Sequence, residues 1–145
     1  MPLQGTFDST LLFKDAGAVT ADGAAQVAAA ARVVDVGANS RFDGTMMVNV
    51  SALDVTSGDE RYVVNVQGSN AADFSAGVVN LGSLQLGDST TTLESVDSVT
   101  GLYELPFTNE KGGVKYRYLR IYVDVAGTTP SINFTAYAVK SAISR

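Results

Sequence analysis

Apolar and polar side chains alternate along five stretches of this chain. A period of two marks a β-strand with one face on a core and the other turned outward. From Met46 to Ala52, the residues Met46, Val48, Val50 and Ala52 share one face, and Met47, Asn49 and Ser51 share the other. Tyr62, Val64 and Val66 alternate with Val63, Asn65 and Gln67; Tyr103, Leu105 and Phe107 alternate with Glu104, Pro106 and Thr108. Leu119, Ile121, Val123 and Val125 oppose Tyr118, Arg120, Tyr122 and Asp124. Finally Ile132, Phe134, Ala136 and Ala138 oppose Asn133, Thr135, Tyr137 and Val139. Turn residues separate these runs at Thr56 to Asp59, Gly87 to Ser89, Lys111 to Gly113 and Ala126 to Pro130. The stretch Val78 to Leu86 changes parity near Gly82, which predicts a β-bulge there.

Short strands at regular spacing predict an all-β fold, a jelly-roll-like antiparallel β-sandwich of about eight strands with little helix. The 145 residues suit a single domain, 1-145. Two segments carry no such period. Asp22 to Arg32 is rich in alanine; the residues leave it open between a helix capped by Asp22 and an extended edge, with Arg32 to Val36 as a strand. Leu3, Phe7, Leu11, Leu12 and Phe13 are apolar without strict alternation, which suits either a first strand on the core or an arm over residues 1-12 that docks on a neighbour.

Composition removes most catalytic chemistry. The chain has no histidine and no cysteine, which excludes Ser-His-Asp and Cys-His arrangements, imidazole or thiolate metal ligands and disulfides. Of the carboxylates a glycosidase would need in a facing pair, Asp59, Glu60, Glu94, Asp97 and Glu104 are the candidates, and their setting in turns and on outward faces reads as solvated surface. Asp22-Gly23 and Asp43-Gly44 read as turn dipeptides. The glycines form no phosphate-binding pattern, and the sequons at Asn49 and Asn133 fall inside strands. No catalytic, cofactor or metal site is expected. With a net charge of -5 and no Lys/Arg run, no nucleic-acid partner is expected; with no signal-like N-terminus and no long apolar stretch, no membrane is either.

What is present is an outward strand face of interface residues. Tyr118, Arg120 and Tyr122 line it, with Tyr137 expected to join from a partner strand. Tyr and Arg combine contact area with directional hydrogen bonds and are enriched where proteins meet. Cover by another part of the same chain, such as the N-terminal segment, is the other way to account for them. Leu3 and Phe7 complete the candidate interface set.

The same stretch, KYRYLRIYVDVAGTTPSINFTAYA, resembles the end of the Bbp16-type family of phage capsid cement, or decoration, proteins, through Arg117 to Tyr122 and Ala126 to Pro130. Leu11 to Ala16 with Ala18 to Thr20 is similar to that family's opening, and Tyr62 to Ser69 with Asp73 and Phe74 to its middle. The chain departs from the family in Ala21 to Ala31 and in its first ten residues. The resemblance implies a non-enzymatic jelly roll with no cofactor. It would be made in a bacterial host's cytoplasm and bound as a homodimer or homotrimer to the outside of an HK97-like shell, bridging subunits of the major capsid protein. A carbohydrate-binding jelly roll is the competing expectation, since exposed tyrosines stack on sugars. The lack of tryptophan weighs against it.

Overall fold

The computed structural model describes residues 9–140. After a short 3-10 turn, Ser9–Leu11, come β1 (Leu12–Lys14), β2 (Ala18–Val19), β3 (Gly23–Ala24), β4 (Gln26–Val27), β5 (Ala30–Ala31) and β6 (Val34–Asp35). The longer strands follow: β7 (Asp43–Leu53), β8 (Arg61–Ser69), β9 (Val79–Gly87) and β10 (Gly101–Thr108). A small hairpin, β11 (Glu110–Lys111) and β12 (Val114–Lys115), leads into β13 (Tyr118–Ala126) and β14 (Ile132–Lys140).

Two antiparallel sheets result. One runs β1-β14-β7-β10, with β2 also on β14; the other runs β3-β13-β8-β9, with β6 also on β13. Taking β1–β2 as the first strand position, β3–β6 as the second, and β7, β8, β9, β10, β13 and β14 as the third to eighth, one sheet holds the first, eighth, third and sixth positions in that order. The other holds the second, seventh, fourth and fifth. That interleaving is a jelly roll, two Greek keys folded onto each other. The predicted all-β sandwich is the observed architecture.

The alternating residues supply the core. Met46, Val48, Val50, Ile132, Phe134, Ala136 and Ala138 from one sheet meet Tyr62, Val64, Val66, Leu119, Ile121 and Val123 from the other, all buried. Each large apolar side chain contributes roughly 1.5–3 kcal/mol by leaving water. Phe13 on β1 is fully buried, so the segment that alternation left open is a core strand from Leu12 onward. Residues 1–8 of the expected arm, including Leu3 and Phe7, lie outside the described residues.

Several expectations are corrected. Ala52 is exposed, because the pairing of β7 with β14 slips between Asn133 and Phe134 and Ser51 becomes the extra residue. The slip returns Leu53 to the core side, opposite Ile132. The bulge expected near Gly82 is present, with the neighbouring Leu81 as the extra residue, since Val66 pairs Gly82 and Gln67 pairs Asn80. Asp22 to Arg32 holds no helix but the short strands β3, β4 and β5; β4 and β5 form a hairpin whose two loop residues, Ala28 and Ala29, both have positive φ. Asp22 caps no helix; its Oδ1 accepts the Val125 N–H at 2.6 Å. The strand expected over Arg32 to Val36 shrinks to Val34–Asp35. Asp43-Gly44 is no turn but the start of β7, and glycine is required because the Phe42 ring and the Val139 carbonyl, 2.7 and 2.8 Å away, fill the space of a Cβ.

Candidate functional site

Strand β13 is central in its sheet, so its outward residues stand over neighbours on both sides. Tyr118, Arg120 and Tyr122 lie opposite Ser69, Gln67 and Asn65 of β8, and all three are half-buried. The structure brings these three together as expected. Tyr137 does not join them, because β14 belongs to the other sheet and Tyr137 pairs with Met47 and Leu12 there.

Arg120 is the centre of the face. Its Nε donates to Gln67 Oε1 at 2.9 Å, and Gln67 Nε2 donates to Asn80 Oδ1 at 3.0 Å. The guanidinium lies between two rings, 4.3 Å from the centroid of Phe74 and 5.1 Å from that of Tyr122. Burial pushes Arg120 below its ordinary value, with Tyr122 pulling partly back, although an arginine so placed keeps its charge. Cation–π contacts of this kind contribute roughly 0.5–2 kcal/mol each.

Phe74 is the residue that alternation missed. It sits in the β8–β9 loop with φ of 55° and is 92% out of solvent, having 8% exposure. Ser69 shapes that loop: its hydroxyl donates to Ala76 O and accepts the Ala71 N–H. Asn70 ties the loop to β12 and to the residue before β13, donating to Lys115 O and accepting the Arg117 N–H. The cover over Arg120 therefore comes from the β8–β9 loop. The sequence signal was an isolated aromatic in a Ser/Asn/Asp-rich turn.

Next along the face, Arg117 pairs Asp35 through two 2.9 Å bonds and lies 5.2 Å over the Tyr118 ring. Arg117 holds the Asp35 carboxyl below the usual range. Both tyrosine ring faces thus carry a guanidinium on one side, which narrows the room for a stacked sugar. Further out, Ser83, Asn65 and Asp124 form a bonded row, with Ser83 Oγ donating to Asn65 Oδ1 and Asn65 Nδ2 to Asp124 Oδ2.

The carboxylate candidates do not assemble. Glu60 is fully buried, a correction to its reading as solvated surface, and its carboxylate accepts the backbone N–H groups of Ser57, Gly58 and Asp59. Asp59 accepts from the Thr128 N–H and hydroxyl, Asp97 accepts the Ser89 N–H, and Glu94 and Glu104 are exposed. Among the described residues no group of three His, Cys, Asp or Glu could hold a metal. A cleft of ≈ 490 Å³ between β1–β2 and β3–β4 has Lys14 and Asp15 in its wall. The Lys14 amine is committed there to the carbonyls of Asp15, Gly17 and Phe134, at 2.7 to 3.0 Å. Burial pushes it below its ordinary value, with Asp15 partly opposing.

No family model and no curated protein matches the chain.

Proposed function

We propose that this protein is a structural, non-enzymatic component of a phage virion. It would be a cement protein that binds the outside of an HK97-like shell as a homo-oligomer and bridges major capsid subunits. One observation carries the reading: the resemblance of Arg117 to Pro130, seconded by Leu11 to Thr20, to the capsid cement family. The architecture is compatible with that task. A bridging protein needs a stiff body and rigid contact residues, and Tyr118 and Tyr122 are ordered by Arg117 and Arg120 without being wholly covered. Many copies on one shell let weak single contacts sum to a stable coat.

The resembling residues also have structural work. In the Ala126 to Pro130 turn, Gly127 has φ of 114° and a Cβ there would lie 2.7 Å from Asp59 O, while Thr128 is bound by Asp59. The motif therefore supports a shared fold more directly than a shared contact. The test is direct: purified protein is mixed with shells lacking it, and the particles are imaged. Added density at regular lattice positions is expected; bare shells at micromolar protein would overturn the proposal.

A further inference from the structure

The loop joining β9 to β10 breaks the usual rule for exposed loops. Leu93 is 98% exposed, Val96 and Val99 are each 68% exposed, and Leu102 at the start of β10 adds 54%. Single exposed apolar residues are ordinary, but four along one loop and its adjoining edge strand mark a contact surface.

The loop is held, which separates it from a floppy tip. Ser98 donates its N–H to Gly87 O and accepts the Gly87 N–H on its hydroxyl, closing the base. Ser89 N–H donates to Asp97 Oδ1 across the loop. Thr90 and Thr91 hydroxyls donate to Gly58 O and Glu60 O, fastening the loop to the neighbouring turn. The Tyr103 hydroxyl donates to Val99 O. These bonds hold the backbone on both sides of Leu93, so the loop has less to order on binding, and preorganisation of that kind favours affinity.

Charge says what kind of surface it fits. Between Arg61 and Lys111 the chain has six carboxylates, Asp73, Asp88, Glu94, Asp97, Glu104 and Glu110, and no cation. Glu94, Asp97 and Glu104 are exposed around the apolar residues. The cation nearest in the pairing, Arg61, stands opposite Gly87 at the loop's base. A second copy of this chain carries a net charge of -5 and on balance repels an acidic loop. Four of its ten cations are also engaged within the chain: Arg41 is paired with Asp43 and Glu110 and Arg117 with Asp35, Arg32 is bonded to Leu12 and Thr10 carbonyls, and Lys14 is buried.

We propose that the β9–β10 loop is a docking prong whose Leu93 enters an apolar socket rimmed by Lys or Arg on a different protein, the shell subunit. Naming that partner rests on the cement reading; the prong itself rests on exposure, rigidity and charge. The test uses the full chain, cement-free shells and co-sedimentation across a protein titration. Leu93→Asp is expected to weaken binding by about 30-fold, the scale of a central interface anchor. Glu94→Lys is expected to weaken it severalfold at low salt, with the difference fading at high salt. Val114→Asp, on the separate β11–β12 hairpin, is expected to bind as the parent does, and unchanged melting curves will show that all three fold. If the parent binds and Leu93→Asp binds equally well, the prong is refuted and the cement reading stands. If the parent leaves shells bare, both fall. If Leu93→Asp instead converts an oligomer to monomer, the socket is on a second copy and the partner assignment is overturned.

Discussion

Tyr62 shows how one side chain can join two sheets. It projects from β8, is fully buried, and its hydroxyl reaches Asp54 O at 2.8 Å while accepting the Ser131 N–H at 2.8 Å. Asp54 follows β7 and Ser131 precedes β14, so the contact crosses from one sheet to the other. Tyr62→Phe keeps the ring and strands a buried N–H and C=O. The expected loss is about 1–3 kcal/mol, read as a lower urea midpoint with unchanged slope. Gly127 gives a second residue-scale expectation. Its φ of 114° and the 2.7 Å approach of Asp59 O and Glu60 Cα both forbid a side chain, whereas at Gly112 only φ, 61°, is unfavourable and nothing lies within 4 Å of a Cβ. Gly127→Ala should therefore destabilise clearly more than Gly112→Ala, whose cost is about 1 kcal/mol. Thermal melts of the two variants side by side check the ordering.

At the scale of elements, three turns at one end of the sandwich are organised by carboxylates. Asp54 is held below the usual range by the Thr56 N–H and hydroxyl, Asp59 by the Thr128 N–H and hydroxyl, and Asp88 by the Thr90 hydroxyl and N–H. A lowered folded pKa contributes stability that is complete above the unfolded value, near 4, and is lost as pH falls through the folded one. These turns should hold steady from pH 7 to 5 and loosen below about pH 4. Asp35, Asp43 and Asp73 are lowered too, so the readout must be local. Amide exchange at Thr56, Thr90 and Thr128 should rise on acidification beyond the intrinsic change, and Asp88→Asn should remove the effect at Thr90 alone. The long strands on either side of these turns were legible in the sequence because their inward positions are large and apolar at strict period two. The β4–β5 hairpin was not. Its loop is Ala28-Ala29 with φ of 52° and 63°, where such turns usually take Asn-Gly, so no turn signal was there to read. Ala52 was misplaced for a similar reason: the slip at Ser51 is fixed by pairing with β14, which lies eighty residues on and leaves no local mark.

For the molecule as a whole, period two gave the class but not which strands share a sheet. β13 and β14 are consecutive and alternate alike, and a hairpin was the simple expectation, which placed Tyr137 beside Tyr118. The turn instead carries the chain across to the other sheet, and its course depends on Asp59, Glu60 and Tyr62, distant in sequence. The Tyr118, Arg120, Tyr122 row needed only the period of one strand and was therefore readable; Phe74 and the Leu93 loop needed tertiary structure. The same closure makes a global prediction. β1 pairs β14, Leu12 opposite Tyr137, so the start of the described chain seals its end. If β1 is integral to the core, removing the wholly buried Phe13 ring should destabilise the entire sandwich. Phe13→Ala is expected to cost about 3–5 kcal/mol, comparable with Phe134→Ala, which lies in the centre of the same sheet. Urea unfolding followed by tyrosine fluorescence and by far-ultraviolet circular dichroism should still give one coincident transition, shifted as a unit. A Phe13→Ala protein that loses only a small early phase, with the main transition unmoved, would show β1 to be a detachable arm whose pairing with β14 adds nothing to the core.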